Sequence, residues 1–224
     1  MSDTQLDLLQ SLRLKYPTPD VSSIEPFRYT LDGGGRHIVQ RLIDQTEAKV
    51  MIEIGTYLGG SCFDWLEHDP NLIVIAVDPW KEGYDVAADM RRYRDTPIGP
   101  QVWKYIDDVD KAIESTQKHG FYKQAIANLS QFGDRIIPMR GPAADILPEI
   151  KNIGVSPSIV YIDSIKTRAT IDEAYDNFPL AQICGDDWTW RNAEGNLQMQ
   201  EAVEAFAAEQ GKKVAISGAT WIVH

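Results

Sequence analysis

Two stretches hold residues whose types and spacing could do chemistry. Tyr161-Ile-Asp-Ser-Ile-Lys166 closes an apolar run with an aspartate and, three residues on, a lysine. Ala181-Gln-Ile-Cys-Gly-Asp-Asp-Trp188 closes another with two adjacent carboxylates. Like charges in contact repel unless water screens them or a cation lies between them. If both runs are strands of one parallel sheet, Asp163, Asp186 and Asp187 share an edge with Lys166 close by. Three oxygen ligands plus water suit Mg²⁺, a hard ion that keeps an incomplete protein shell. Carboxylate-rich sites hold Mg, Ca or Mn in preference to Zn. Such an ion acidifies a hydroxyl, and a lysine lowered by desolvation can take the proton. The plainer reading makes Lys166 a surface ion-pair partner and the aspartates a helix cap.

A second pair of carboxylates stands earlier. Glu53-Ile-Gly-Thr-Tyr-Leu-Gly-Gly-Ser61 joins an apolar run to a helix, and Asp78 ends the next run about twenty residues later. Gly55 permits a tight turn, and Gly59 and Gly60 let a ligand approach the backbone. The spacing is neither G-x-G-x-x-G nor a phosphate loop with G-K-[ST]. Glu53 lies inside the run, where a buried carboxylate needs a positive partner or donors. A sulfonium amino acid would supply both. Asp78, at a strand end, can take both hydroxyls of a ribose. Alone, a glycine turn is weak evidence, and a strand-end aspartate is often a helix cap.

Both pairs need a sheet to position them. Apolar runs at 50–54, 72–77, 135–139, 158–162, 182–184, 213–216 and 219–223 read as seven strands. Helical spacing separates them at 60–67, 122–132, 143–150, 171–178 and 197–209, with another helix at 36–45. Alternating strands and helices predict an α/β fold, a Rossmann-like, mostly parallel sheet with helices on both faces. The last two strands are joined by a Ser-Gly turn too short for a crossover, so the final strand is antiparallel. Residues 1–35 read as an N-terminal leader, with a helix over 3–15, prolines at 17, 19 and 26, and the joint Asp32-Gly-Gly-Gly35. Residues 36–224 are the main domain. An insertion at about 81–120 contains no strand run. It follows a strand's carboxyl end, so it should lie over the ligand crevice as a lid or substrate wall; a surface decoration or dimer arm is the bland alternative.

Composition narrows the partners. The net charge of −11 argues against nucleic acid, which needs a basic face. Neither a signal peptide nor a run of membrane-spanning length is visible. Cys62 and Cys184 make no metal spacing and read as buried free thiols, which points to a cytoplasmic protein. An ordered leader could pack on a second copy of the chain.

The whole resembles a class I S-adenosylmethionine-dependent methyltransferase over about residues 36–224, apart from the insertion. Glu53 to Ser61 resembles that family's first motif and Asp78 its second-strand acid. Gly141-Pro-Ala-Ala-Asp-Ile-Leu-Pro148 resembles the segment that packs on adenine. The resemblance implies that Gly55 and Ser61 line the methionine end, Asp78 the ribose, and Ala143 and Ala144 the adenine. Glu53, Thr56, Tyr57, Gly59, Pro79, Trp80, Gly141 and Asp163 complete the implied cofactor set. The acidic edge is similar to that of catechol-type, metal-dependent O-methyltransferases, matching at Asp163, Lys166 and Asp186. It departs at Asp187, where asparagine is expected; sugar and other small-molecule methyltransferases carry paired acids there. The resemblance implies methyl transfer to a hydroxyl of a small-molecule acceptor, with S-adenosylmethionine and Mg²⁺, Lys166 and Asp163 being catalytic. Metal-independent transfer, or a non-methylating enzyme on the same fold, are the alternatives.

Trp188 and Trp190 could wall a ring-shaped substrate, as could Tyr84, Tyr93, Trp103 and Tyr105. Arg91, Arg92 and Arg94 form a basic cluster, read as a helix face paired with Asp89 and Asp95. His37, His68, His119 and His224 share no metal spacing, and His119 is the weak catalytic candidate among them.

Overall fold

The computed structural model describes residues 2–94, 96–97 and 99–224. The apolar runs become β1 (Val50–Ile54), β2 (Ile73–Asp78), β3 (Ile136–Arg140), β4 (Ile159–Ile162), β5 (Gln182–Gly185), β6 (Val214–Ser217) and β7 (Thr220–Val223). They form one sheet in the order β3-β2-β1-β4-β5-β7-β6. β1 pairs in parallel with β2 and β4, β2 with β3, and β4 with β5. β7 runs antiparallel to both neighbours, β5 and β6.

Successive side chains on a strand point to opposite faces, and here both faces are covered. Val50, Ile52 and Ile54 of β1 join one core with Ile75, Val160 and Ile183. Met51 joins the other with Val74, Tyr161 and Cys184. The helices in chain order are α1 (Asp3–Lys15), α2 (His37–Thr46), α3 (Gly60–His68), α4 (Val86–Arg94), α5 (Gly99–Val102), α6 (Val109–His119), α7 (Phe121–Leu129), α8 (Ala143–Ile153), α9 (Arg168–Asn177) and α10 (Gln198–Glu209). α2, α3 and α7 cover the Met51 face, and α8, α9 and α10 cover the Ile52 face. The helix expected over 122–132 ends earlier, and a 3-10 turn at Ser130–Arg135 leads into β3.

The leader is not a detached arm. Leu9 and Leu12 of α1 are fully buried in the main core, and Tyr29 joins a third apolar cluster. That cluster is built with the insertion: Val86, Ala87, Met90, Val102, Trp103, Ala112 and Ile113 meet Tyr29 and Leu58. The insertion holds α4, α5 and α6, more helix than its sequence suggested. Its basic cluster makes the following contacts among the described residues. Arg94 bonds Asp110 at 2.6 Å, Arg92 bonds the Tyr93 hydroxyl at 3.0 Å, and Asp89 accepts from Tyr84. Asp95 lies outside the described residues. No helix among the described residues is long and apolar enough to cross a membrane.

Glu53 needs no ligand to balance it. The alternation of β1 turns its side chain toward α3, where it is fully buried. Oε1 accepts from the Ser61 hydroxyl at 2.8 Å and the Cys62 thiol at 3.2 Å, and Oε2 from the Trp65 indole at 2.7 Å. The sulfonium partner expected for Glu53 is therefore replaced by three donors of one helix. Burial pushes its carboxyl up to about 7, against those hydrogen bonds and Arg36.

Two predictions follow from this packing. A Cβ at Gly55 (φ +92°) would lie 2.0 Å from the Asp163 carbonyl oxygen, whereas one at Gly83 (φ +77°) meets open space. Gly83→Ala should cost about 1–2 kcal/mol from its backbone angle alone, and Gly55→Ala distinctly more, read as the two melting midpoints. A carboxyl raised on folding from 4.5 adds stability below its unfolded value and loses it as pH rises through about 7. The wild-type midpoint should therefore fall relative to Glu53→Gln as the buffer is raised across that window; a constant difference would contradict the shift.

Candidate active site

Ligands of open α/β sheets bind outside the carboxyl ends of the strands, where the strand order reverses. Here that point lies between β1 and β4. A cleft of about 840 Å³ opens there. Gly55 and Tyr57 line it from the first turn, Asp78 and Pro79 from β2. Gly141, Ala143 and Ala144 line it beyond β3, and Asp163 and Lys166 beyond β4. Glu53, Thr56, Gly59, Ser61 and Trp80 do not line it. Trp80 is buried, and its indole N–H donates to the Tyr57 carbonyl at 2.8 Å, bracing the turn.

Asp78 is held by two backbone donors. Its Oδ2 accepts from the Tyr57 backbone N–H at 2.9 Å and its Oδ1 from that of Trp80 at 2.7 Å. Burial raises its pKa, and the two backbone bonds oppose the rise. Each oxygen keeps acceptor capacity beyond the bond it already takes.

The acids after β4 and β5 lie near one another. Burial raises Asp163 well above the carboxylate range, and Asp187 and Asp186 add to the rise. Asp186 accepts from its neighbour's N–H at 3.0 Å and from the Tyr161 hydroxyl at 3.2 Å. Its carbonyl takes the Trp221 indole at 2.8 Å. Asp187 has a left-handed backbone (φ 69°), a conformation in which Asp and Asn are several-fold enriched.

Lys166 differs from its expectation. Its Nζ lies 2.7 Å from Asp187 Oδ2. Burial pulls its pKa down, but Asp187, Asp163 and Asp186 outweigh burial and leave it raised. It stands as an ammonium, 5.7 Å over the Trp190 ring, and not as a lowered amine. Trp190 lines the cleft, whereas Trp188 packs in the core. Tyr84 also lines the cleft; Tyr93, Trp103, Tyr105 and His119 do not.

Arg36 is the residue that the sequence reading missed. It is 6 % exposed and donates to Thr30 Oγ1 at 2.9 Å, Asp64 at 2.9 Å and the Leu31 carbonyl at 2.7 Å. Its guanidinium also lies 3.7 Å from Asp186, 4.0 Å from Asp163 and 3.9 Å from Asp32. The only local signal was a cation directly after a glycine joint.

Among the described residues, no group of three or more His, Cys, Asp or Glu side chains is set to hold a metal ion. The donor chemistry still fits a hard divalent ion. Burial and neighbouring acids raise Asp163 and Asp186, and the charge that faces Asp187 Oδ2 is the Lys166 ammonium, at 2.7 Å. Lys166 is the cation that would have to give way.

No protein-family model matches the chain, and no curated protein matches it in sequence. Solved structures do. A candidate caffeoyl-CoA O-methyltransferase from Staphylococcus aureus aligns over 100 % of this chain and 92 % of its own, at 14 % identity and a TM-score of 0.56. An O-methyltransferase from Bacillus cereus in complex with SAH aligns over 100 % and 92 %, at 16 % identity and 0.52. The O-methyltransferase TomG from Streptomyces achromogenes, in complex with SAM, aligns over 100 % and 89 %, at 14 % identity and 0.54. At such identities the likeness is one of fold, and the fold of this chain is that of the Rossmann-like methyltransferases.

Proposed function

We propose that the protein is an S-adenosylmethionine-dependent methyltransferase that methylates a hydroxyl of a small molecule. One observation carries this: the cleft at the switch point puts a buried strand-end carboxylate, Asp78, and an acid–lysine pair, Asp163 and Lys166, in one space. The fold's neighbours, two of them with SAM or SAH bound, support the same reading. Asp78 takes the ribose hydroxyls, the Gly55 turn lies along the methionine part, and Ala143 and Ala144 face the adenine.

The acceptor oxygen displaces the methyl group from sulfur, and most of the rate gain is positioning. The acceptor proton needs a base. With Lys166 held as an ammonium, Asp163 is that base, and Lys166 stabilises charge developing on the oxygen. Asp163, Asp186 and Asp187 would hold Mg²⁺; Asp163 presents two oxygens, enough for an ion and a proton. When bound, such an ion acidifies the hydroxyl and fixes its position. Transfer without a metal is the second reading, favoured by Arg36 and Lys166, which already face all three acids.

Turnover of labelled S-adenosylmethionine in EDTA, and after Mg²⁺ is restored, separates the two readings. Asp78→Ala should weaken cofactor binding roughly tenfold to a hundredfold, the range for hydrogen bonds to a charged group; unchanged affinity in a thermal-shift titration would remove its ribose role. Lys166→Arg keeps a cation that cannot act as a base. It should retain much more activity than Lys166→Met, and equal loss in both variants would return the base role to Lys166.

A further inference from the structure

Among the described residues two cations face the acid edge, and they are held differently. Lys166 reaches Asp187 on a flexible stem, and both side chains stay partly exposed. Arg36 is buried and fixed from three sides. Its Nη1 donates to Thr30 and Asp64, and its Nη2 to the Leu31 carbonyl. Its backbone is fixed as well. The Gly34 carbonyl accepts from the Ala219 N–H at 2.9 Å and the Thr220 hydroxyl at 3.2 Å. A Cβ at Gly35 would lie 1.6 Å from the Ser217 carbonyl oxygen. The glycine joint is thus clamped on the β6–β7 turn, and Arg36 with it.

One donor of this fixed group is left over. Nε is buried without a hydrogen-bond partner. It lies 3.7 Å from Asp186 Oδ2, and Nη2 lies 4.0 Å from Asp163 Oδ2. These are ion-pair distances, too long for hydrogen bonds. The guanidinium therefore acts on both acids as a charge, and arginine keeps that charge in proteins. A divalent ion at the edge would meet it. Asp163 lines the cleft, whereas Asp186 and Asp187 do not. Asp186 Oδ1 takes the Asp187 N–H, and its Oδ2 faces both Arg36 and the Tyr161 hydroxyl. Lys166 can swing aside for an ion, but Arg36 stays within 4.0 Å of two of the ligands. Like charges so close, away from bulk water, repel strongly.

We propose that Arg36 is a positioning residue of the acid edge, a fixed internal cation that holds Asp163 and Asp186 in place of part of a divalent ion's charge and keeps the edge's affinity for such an ion low. This rests on the methyl-transfer reading above and gives Mg²⁺ a weak, contested hold there. The leader thereby contributes to the site from outside the strands that carry the acids.

The test is Mn²⁺ binding to the full chain, read as the loss of the free-ion EPR signal. Wild type should bind more weakly than about 10⁻⁴ M. Arg36→Gln should bind about tenfold tighter or more, and Arg36→Lys should return toward wild type. The gain should vanish when Arg36→Gln is combined with Asp163→Asn. A role confined to folding would lower the melting midpoint and leave Mn²⁺ affinity alone. Lys166→Met, at a partly exposed position, keeps Arg36 in place and should stay weak; it decides the matter even if Arg36→Gln does not fold. Equal Mn²⁺ affinity in wild type and Arg36→Gln, a gain that survives Asp163→Asn, micromolar binding by wild type, or tight binding by Lys166→Met overturns the proposal. S-adenosylhomocysteine should raise the midpoints of wild type and both Arg36 variants alike. A missing shift there strikes the methyl-transfer reading instead, and the Mn²⁺ comparison stands without it.

Discussion

One guanidinium holds the acidic edge of this molecule together. Arg36 lies within 4.0 Å of four carboxylates, on Asp32, Asp64, Asp163 and Asp186. A buried charge survives only when its surroundings repay its desolvation. Here Thr30 and the Leu31 carbonyl add neutral acceptors to the acids. Those partners belong to the leader, α3, and the ends of β4 and β5. A single side chain thereby sets the separation between four parts of the fold and keeps the acids close without mutual expulsion. Arg28, which also pairs with Asp64, extends the network toward Glu67 at the surface.

Much of the architecture was legible in the sequence because strands buried on both faces appear as unbroken apolar runs. The antiparallel ending was legible for a different reason, the length of a turn. The leader and the insertion were harder to read. Their burial depends on one another: Tyr29 is covered by Trp103, and neither has a periodic partner nearby in sequence. A segment whose apolar face is completed from far away shows little pattern of its own.

At the site, residue identities were readable and their states were not. Asp163, Asp186, Asp187 and Lys166 were brought together by strand order alone. Their protonation depends on distances that no spacing reveals, and a lysine beside three acids is held charged although it is half-buried. Glu53 shows the reverse case. Its donors stand eight, nine and twelve residues on, at Ser61, Cys62 and Trp65, so the answer was present locally but was attributed to a ligand. Arg36 had little local signal, because Asp64, Asp163 and Asp186 become its neighbours only through the tertiary fold.

The place of β7 has a consequence for synthesis on the ribosome. It inserts between β5 and β6, and its Trp221 donates to the Asp186 carbonyl while Ala219 receives the Trp188 N–H at 2.8 Å. The backbone that aims the acid pair is therefore anchored by residues translated more than thirty positions after it. Domains fold as the chain emerges, amino-terminal parts first. A nascent chain can assemble β1 to β4 and close the glycine turn early, while the acid pair still lacks its anchor. That anchor is supplied once β7 takes its place between β5 and β6.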